Sequence, residues 1–310
     1  MLYVVGYLHL GGYIGNGESH VGWWSAALTQ LVLGSFTFLS GFLIAGRPLR
    51  GGLGDVLGFY RRRLLRIYPL FLLSLAGFVA LGLTYWVTAA KSALGLSMFW
   101  LSPPMTLWYV VMLLVCFVLA PLLLIGSWAR TALTSVALLA LMALWHTAVT
   151  PMDLRMATQF AAFASGVLFA RGGWRTQVRS AAFYLATAAA VILQLSTARQ
   201  DEAITAWTAV PAVCLVPILL LAGFDALAQP WMKSRWVRFL SHASFCAYLF
   251  HRIVYALLER AVQPHDALLH WLWLLGVGLP MVLAVSAFIQ TAYDDLLQHG
   301  MPALSKFARS

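Results

Sequence analysis

Long apolar runs separated by short polar stretches dominate this chain. Most of these runs approach or exceed the ~20 residues that a helix needs to cross a bilayer. None shows the alternation of apolar and polar positions that a membrane strand requires. There are about ten of them, at roughly 2–14, 23–46, 67–87, 105–127, 131–149, 156–170, 180–197, 206–224, 239–260 and 267–291. The pattern predicts an all-α, polytopic transmembrane helical bundle that forms one domain over residues 1–310, with no separate soluble domain.

The positions of the basic residues predict an orientation for this bundle. If the stretch 47–66 is cytoplasmic and the spans alternate, the cytoplasmic side holds fifteen of the 20 Lys and Arg residues and the other side holds five. Short loops rich in Lys and Arg stay in the cytoplasm. We therefore expect both termini to be cytoplasmic.

Composition supports the membrane assignment and excludes other classes. The chain is 62% hydrophobic and 10% charged, against about 25% charged residues in soluble domains. Its net charge of +10 does not indicate nucleic-acid binding, because the basic residues lie at the ends of apolar runs. The three cysteines lie inside apolar runs without metal-ligand spacing, so we expect no metal site. Usage rich in Arg, Ala, Leu and Trp favours a bacterial inner membrane.

The most conspicuous polar feature is the stretch FYRRRLLRIYP at 59–69. In a helix, Arg62, Arg63 and Arg66 share one face, and Arg61 adjoins them. Pro69 lacks an N–H and crowds the carbonyl of the residue four before it, so we expect the helix to bend or to begin nearby. The cluster is either a positive-inside anchor or an anion site, since guanidinium groups suit phosphates and carboxylates.

Histidines inside apolar runs are the other candidates for chemistry. His9 lies in the first run and His251 near the end of SFCAYLFH at 244–251, one turn after Tyr248. Intramembrane histidines usually face a cavity or a partner, and an imidazole can act as a general base near neutral pH. The alternative for His9 is a histidine that only packs between helices.

Three further stretches have weaker signals. Ser40, Gly41 and Phe42 interrupt the second run, either for close helix packing or as a passage for a ligand. The aromatics of Leu107–Tyr109 suit a membrane-interface belt. Asp153 and Arg155 are predicted to lie in a solvated outer loop.

Taken in order, VVGYLH, FTFLSGFLIAG, FYRRRLLRIYP, LWYVVMLL and SFCAYLFH resemble the acyltransferase-3 family of multi-spanning membrane acyltransferases. The resemblance extends over nearly the whole chain. It implies transfer of an acyl group, usually acetyl from acetyl-CoA, to a hydroxyl of an extracytoplasmic glycan or lipid-linked sugar. It leaves the acceptor, the acyl chain length and the oligomeric state open.

The resemblance also implies roles for individual residues. His9 matches the catalytic histidine of the first helix, and Arg63 and Arg66 match the RxxR motif near the donor site. We expect Arg61 and Arg62 to join them in binding acyl-CoA. The remaining matches are to a substrate or structural motif, at Ser40, Gly41, Phe42, Tyr248 and His251. The family's basic residue eleven positions before the histidine would precede Met1, so we expect a late start or a truncated chain.

Two routes for the acyl group remain open at this stage. His9 could deprotonate the acceptor hydroxyl for direct transfer, or could carry the acyl group itself as a relay. Two other classes also remain, a transporter of an anionic or sugar-lipid substrate and a structural subunit of a glycan-assembly complex.

Overall fold

A computed structural model describes residues 2–10, 23–46, 49–100, 103–104, 106–150, 152–172, 177–227 and 234–300. Throughout these ranges the regular elements are helices and no strand occurs, which confirms the all-α class. The α-helices are α1 (Trp23–Ala45), α2 (Leu53–Ala80), α3 (Trp86–Ala93), α4 (Trp108–Leu124), α5 (Trp128–Ala148), α6 (Arg155–Gly172), α7 (Ala181–Thr197), α8 (Glu202–Leu227), α9 (Arg235–Ala261), α10 (Ala267–Trp273) and α11 (Leu279–Asp295). Single-turn π-helices occur at Val4–Leu8, Leu274–Gly278 and Leu296–Gly300, and 3₁₀-helices at Ser97–Phe99 and Gln177–Arg179.

Each predicted apolar run coincides with helical structure over most of the residues that are described, but fewer helices meet a strict length and hydropathy criterion. Within the described residues, five helices are long and apolar enough to cross a membrane. They are Trp23–Ala45, Leu53–Ala80, Trp128–Ala148, Glu202–Gly223 and Ala267–His299. The count of about ten spans stays a prediction. So does the orientation, whose terminal residues 1 and 301–310 lie outside the described ranges.

The chain divides into two compact units. The first comprises Met1–Gly22, Arg61–Ala89 and Ala228–Ser310, and the second comprises Trp23–Tyr60 and Ala90–Leu227. Helix α2 contributes to both, because the division falls between Tyr60 and Arg61.

Helices α2, α9 and α11 organise the first unit. Contacts between α9 and α11 run in opposite directions along the two helices: His242 meets Thr291, Cys246 meets Gln290, and Tyr255 lies against Gly278, just before α11. These helices are therefore antiparallel. A buried apolar cluster at their centre consists of Val5, Leu10, Ala247, Val254, Tyr255, Leu274 and Val282.

Helix α2 runs alongside α9 in the same direction. The Ser74 hydroxyl donates to the Leu249 carbonyl at 2.8 Å, Gly77 lies against Ile253, and Arg260 donates to the Leu81 carbonyl at 2.6 Å. These contacts advance together along both helices. They align the part of α2 that follows the arginine stretch with the part of α9 that contains His251.

Pro69 neither ends nor begins helix α2. The helix starts at Leu53, so the expectation of a start near Pro69 is wrong. Since proline has no N–H, the carbonyl of Leu65 loses its helical partner. The hydroxyl of Tyr293, on α11, donates to that carbonyl instead. A side chain from a neighbouring helix thus compensates for the proline, and the arginines stand on a continuous helix.

The second unit is built around the close packing of α1 and α6. A Cβ atom added at Gly41 would lie 2.1 Å from the Phe163 carbonyl oxygen, and one added at Gly166 would lie 2.1 Å from the Phe38 carbonyl oxygen. Only glycine permits backbones to approach this closely. A buried polar group reinforces the contact, with the Thr37 hydroxyl 2.9 Å from Gln159 Oε1 and 3.2 Å from the Tyr109 hydroxyl.

Candidate active site

The N-terminal helix brings His9 into the core of the first unit. Its π-helical turn ends with the His9 N–H donating to the Val4 carbonyl, five residues back, at 3.0 Å. Neighbouring Val5 and Leu10 are buried in the apolar cluster, and Gly6 lies against Leu279. Packing on both sides of His9 therefore fixes the backbone that carries it.

His251 reaches the same place from α9. Its side chain is fully buried, and its Nδ1 lies 2.8 Å from the Tyr248 carbonyl oxygen and 3.1 Å from the Ala247 carbonyl oxygen. Carbonyl oxygens only accept hydrogen bonds, so Nδ1 carries the proton. In the neutral ring Nε2 is then an acceptor with a free lone pair.

The two imidazoles stack. Their centroids are 4.6 Å apart and their planes differ by 6°. Tyr248 and Tyr255 flank His251 with centroids at 6.0 and 6.2 Å. Two imidazolium charges at the stacking distance would repel by about 3.6 kcal/mol at an effective dielectric constant of about 20. The pair is therefore suited to hold no more than one positive charge at a time.

Buried polar atoms without a hydrogen-bond partner gather in this unit. Among the described residues they include Nδ1 of His9, Nε2 of His251, Nε1 of Trp273 and Oγ of Ser286. Leaving such an atom unpaired costs about 1–3 kcal/mol, so native proteins do so rarely and often where a ligand binds. The two imidazole nitrogens could form hydrogen bonds with a substrate. Both histidines could be predicted from the sequence, whereas the unpaired atoms of Trp273 and Ser286 could not.

The arginine stretch belongs to the same unit. Arg62 and Arg63 are half-buried, whereas Arg61 and Arg66 are exposed. Among the described residues, neither Arg62 nor Arg66 has an acidic partner within 4 Å. Their guanidinium groups are therefore available to an anion.

The alignment of α2 with α9 sets the axial distance from the arginines to the histidines. Because Ser74 is level with Leu249 and Gly77 with Ile253, His251 is level with residues 75–76 of α2. At 1.5 Å per residue, Arg66 lies about 14 Å further along the helix axis. A chain with the backbone length of about four extended residues would bridge the two positions.

The Ser40–Phe42 motif lies in the second unit. The Ser40 hydroxyl donates to the Phe36 carbonyl within its own helix at 2.9 Å, and Phe42 stacks on Phe38 at 6.3 Å. At Gly41 the Phe163 carbonyl occupies the space where a side chain would stand. The motif therefore serves helix packing here, and the packing interpretation is favoured over a ligand passage.

The prediction of a solvated loop at 153–155 is wrong for Asp153, whereas the Arg155 side chain is 41% exposed. The Asp153 side chain is 3% exposed and accepts hydrogen bonds from the Arg155 guanidinium, with Nε–Oδ1 at 2.9 Å. The guanidinium lies 4.2 Å from the centroid of a Trp108 ring. Trp108 thus packs against this ion pair within the second unit. The spacing Asp-x-Arg at 153–155 is the sequence signal that could have indicated the pair.

The second unit also contains an apolar cavity of about 440 Å³, lined by residues that include Phe169, Phe183, Cys214 and Ile218. None of the predicted site residues lines it. Its apolar surface lacks the groups that acyl transfer to a hydroxyl requires.

The chain was compared with known protein families, curated proteins and solved structures. The family model Acyl_transf_3, described as an acyltransferase domain, matches residues 1–291. Neither curated proteins nor solved structures give a match. The matched region contains the first-helix histidine, the arginine stretch and the His251 helix, on apolar helices that suit a multi-pass membrane protein. The chain belongs to the acyltransferase-3 family and is a membrane acyltransferase.

Proposed function

We propose that the protein transfers an acetyl group from cytoplasmic acetyl-CoA to a hydroxyl of an extracytoplasmic glycan or lipid-linked sugar, in a bacterial inner membrane. Both units would form one acyltransferase domain. The observation that carries the proposal is the stacked pair of imidazoles, each with a buried nitrogen that lacks a partner among the described residues, set about 14 Å along the helix axis from Arg66. No feature of the described residues favours a transporter.

The arginines suit the donor. CoA is anionic and is made in the cytoplasm, and guanidinium groups bind phosphates through charge-assisted hydrogen bonds. With its phosphates at Arg61, Arg62, Arg63 and Arg66, its pantetheine arm would extend toward the histidines. The arm has a backbone of about the length of four extended residues, which matches the axial distance.

The histidines suit the chemistry. In direct transfer, an imidazole takes the proton of the acceptor hydroxyl, the oxygen attacks the thioester carbonyl, and the CoA thiolate leaves and is protonated. In a relay, a nitrogen of His9 first attacks the thioester, and the acyl-histidine then reacts with the hydroxyl. Neither route needs a metal ion.

The experiment compares cells that lack the native gene and express this chain, the His9→Ala variant or the His299→Ala variant at equal levels. His299 is an exposed histidine of the same unit and serves as the control. We expect the acetyl mass shift of the surface glycan with the unmodified chain and with His299→Ala, and its loss with His9→Ala. Equal acetylation by all three would remove His9 from the mechanism.

The donor site is tested with purified protein. Replacing Arg62 and Arg66 by Gln should raise the KM for acetyl-CoA at least tenfold, because each charge-assisted hydrogen bond contributes about 1.5–3 kcal/mol. The matched control replaces Arg235 and Arg238, two exposed arginines at the start of α9. An equal KM in both double variants would contradict phosphate binding by the α2 arginines.

A further inference from the structure

We propose that Nε2 of His251 takes the proton of the acceptor hydroxyl during acyl transfer, so that His251 is a catalytic base beside His9. This inference rests on the proposed function and adds a residue to it. The family resemblance points to His9 as the catalytic histidine and places His251 only in a substrate or structural motif.

The hydrogen bonds of His251 fix which nitrogen can act. Two backbone carbonyls face Nδ1, at 2.8 and 3.1 Å, and hold the proton there. Nε2 is left as the acceptor, is buried, and has no partner among the described side chains and backbone. A histidine that only packed between helices would ordinarily bond both nitrogens. This one presents a single lone pair to an incoming donor.

The surroundings of His251 fix the ring before a substrate arrives. The His9 ring covers one face, Tyr255 meets the ring edge-on with planes at 76°, and Tyr248 lies at 51°. A base held in this way needs no reorganisation at the moment of proton transfer. A hydroxyl donor that reached Nε2 would also satisfy the buried lone pair.

The step balances for either route of the acyl group. The O–H bond of the acceptor breaks and its proton goes to Nε2 of His251, while the oxygen forms a bond to the acyl carbon. The bond from the acyl carbon to its carrier, the CoA sulfur or a His9 nitrogen, breaks with its electron pair. That atom then receives the proton from His251, and both rings end neutral.

The stack explains why the roles divide between two rings. A nitrogen that carries the acyl group cannot also accept the hydroxyl proton, so a relay through His9 needs a second base. The stacked arrangement disfavours two positive charges, so one proton serves the pair. His251 is the ring whose free lone pair is defined by its own hydrogen bonds.

The first test is His251→Asn in the full-length protein, purified in lipid nanodiscs. Asparagine can keep an N–H near the position of Nδ1 and removes Nε2. The matched control is His299→Asn, because the Nδ1 of His299 also faces the carbonyl four residues back, at 3.2 Å, but the side chain is exposed. The assay uses acetyl-CoA and lipid-linked glycan extracted from cells that lack O-acetylation.

We expect His251→Asn to lower kcat by about 10²–10⁴-fold with an unchanged affinity for acetyl-CoA, and His299→Asn to match the unmodified chain. A melting temperature equal to that of the unmodified chain would show that the fold persists. A kcat for His251→Asn within threefold of the unmodified chain would overturn the inference. Absence of transfer by the unmodified chain would instead count against the proposed function.

The second test uses His251→Gly and a series of substituted imidazoles of different basicity. Proton transfer follows Brønsted behaviour, so the rescued rate should rise with the basicity of the added imidazole. A purely structural role would give no such slope. Absent rescue, or rescue that is independent of basicity, would overturn the role of His251 as a base.

Discussion

Gly41→Ala tests the packing of α1 on α6. The added Cβ would lie 2.1 Å from the Phe163 carbonyl oxygen, whereas ordinary contacts begin near 3.4 Å. The obstacle is backbone, so the helices themselves must separate, by about 1.3 Å. A gap of 0.5–1 Å already forfeits a quarter to a half of the dispersion energy of each contact. We expect a destabilisation of about 3 kcal/mol or more, at the upper end for overpacked cores.

The assay is thermal unfolding of the purified protein in detergent, with Gly223→Ala as the matched control. Gly223 is also a helical glycine of the second unit, but a Cβ there would meet nothing within 4 Å. Gly41→Ala should lower the melting temperature by at least about 4 °C, because unfolding a chain of 310 residues has an entropy of about 0.65 kcal/mol/K. Gly223→Ala should raise it slightly, since alanine is favoured over glycine in helices by about 1 kcal/mol.

The reciprocal contact at Gly166 leads to a prediction for the Gly41→Ala, Gly166→Ala double variant. Because a Cβ at Gly166 would meet the Phe38 carbonyl, both substitutions open the same gap. The double variant should therefore cost clearly less than the sum of the single variants. A melting temperature for Gly41→Ala within 2 °C of the unmodified chain would refute the reasoning. Equal losses at Gly41 and Gly223 would refute it as well.

Three further predictions concern hydrogen bonds. Tyr293→Phe should lower the free energy of unfolding by about 1–3 kcal/mol, and by much less in a Pro69→Ala background, where the Leu65 carbonyl regains its helical N–H. A double-mutant cycle measured by thermal unfolding would contradict this if it showed no coupling between the two substitutions. Glu259→Gln should lower the melting temperature, because it replaces the carboxylate that lies 2.5 Å from His270 Nε2 in a mostly buried pair. An unchanged melting temperature would mean that the pair adds no stability. Thr37→Val should lower the free energy of unfolding by about 1–3 kcal/mol in the same assay, because it removes a buried hydroxyl that bonds other side chains. An unchanged free energy would show that water replaces the hydroxyl.

The sequence was most informative where local rules suffice. Helix periodicity placed Arg62, Arg63 and Arg66 on one face, and the structure has them on one continuous helix. Hydropathy predicted helical structure at every apolar run. Small residues at Ser40 and Gly41 indicated close packing, and the structure shows it at Gly41.

Features that depend on the tertiary fold could not be predicted from the sequence. Nothing local to Leu65 indicates that a hydroxyl from Tyr293 would bond its carbonyl, so the sequence could not exclude a helix start near Pro69. The stacking of His9 on His251 joins the two ends of the chain and has no short-range signal. A charged residue in a loop is usually solvated, and only the burial of Asp153 and its contacts with Arg155 reverse that expectation.

The π-helical turn at Leu274–Gly278 lies inside one helical rod that runs from Ala267 to His299. Relative to an α-helix, such a turn accommodates one additional residue, and each residue of an α-helix advances the azimuth by about 100°. Deleting that residue would restore an α-helical turn and keep the downstream phase, whereas an α-helical turn that retained it would rotate everything downstream by about that angle. Val282 and Ser286, both now buried, would turn away from the core without any change in their local sequence. The rotational phase of α11, and with it the place of Val282 in the apolar cluster, thus depends on a π-helical turn that absorbs one residue.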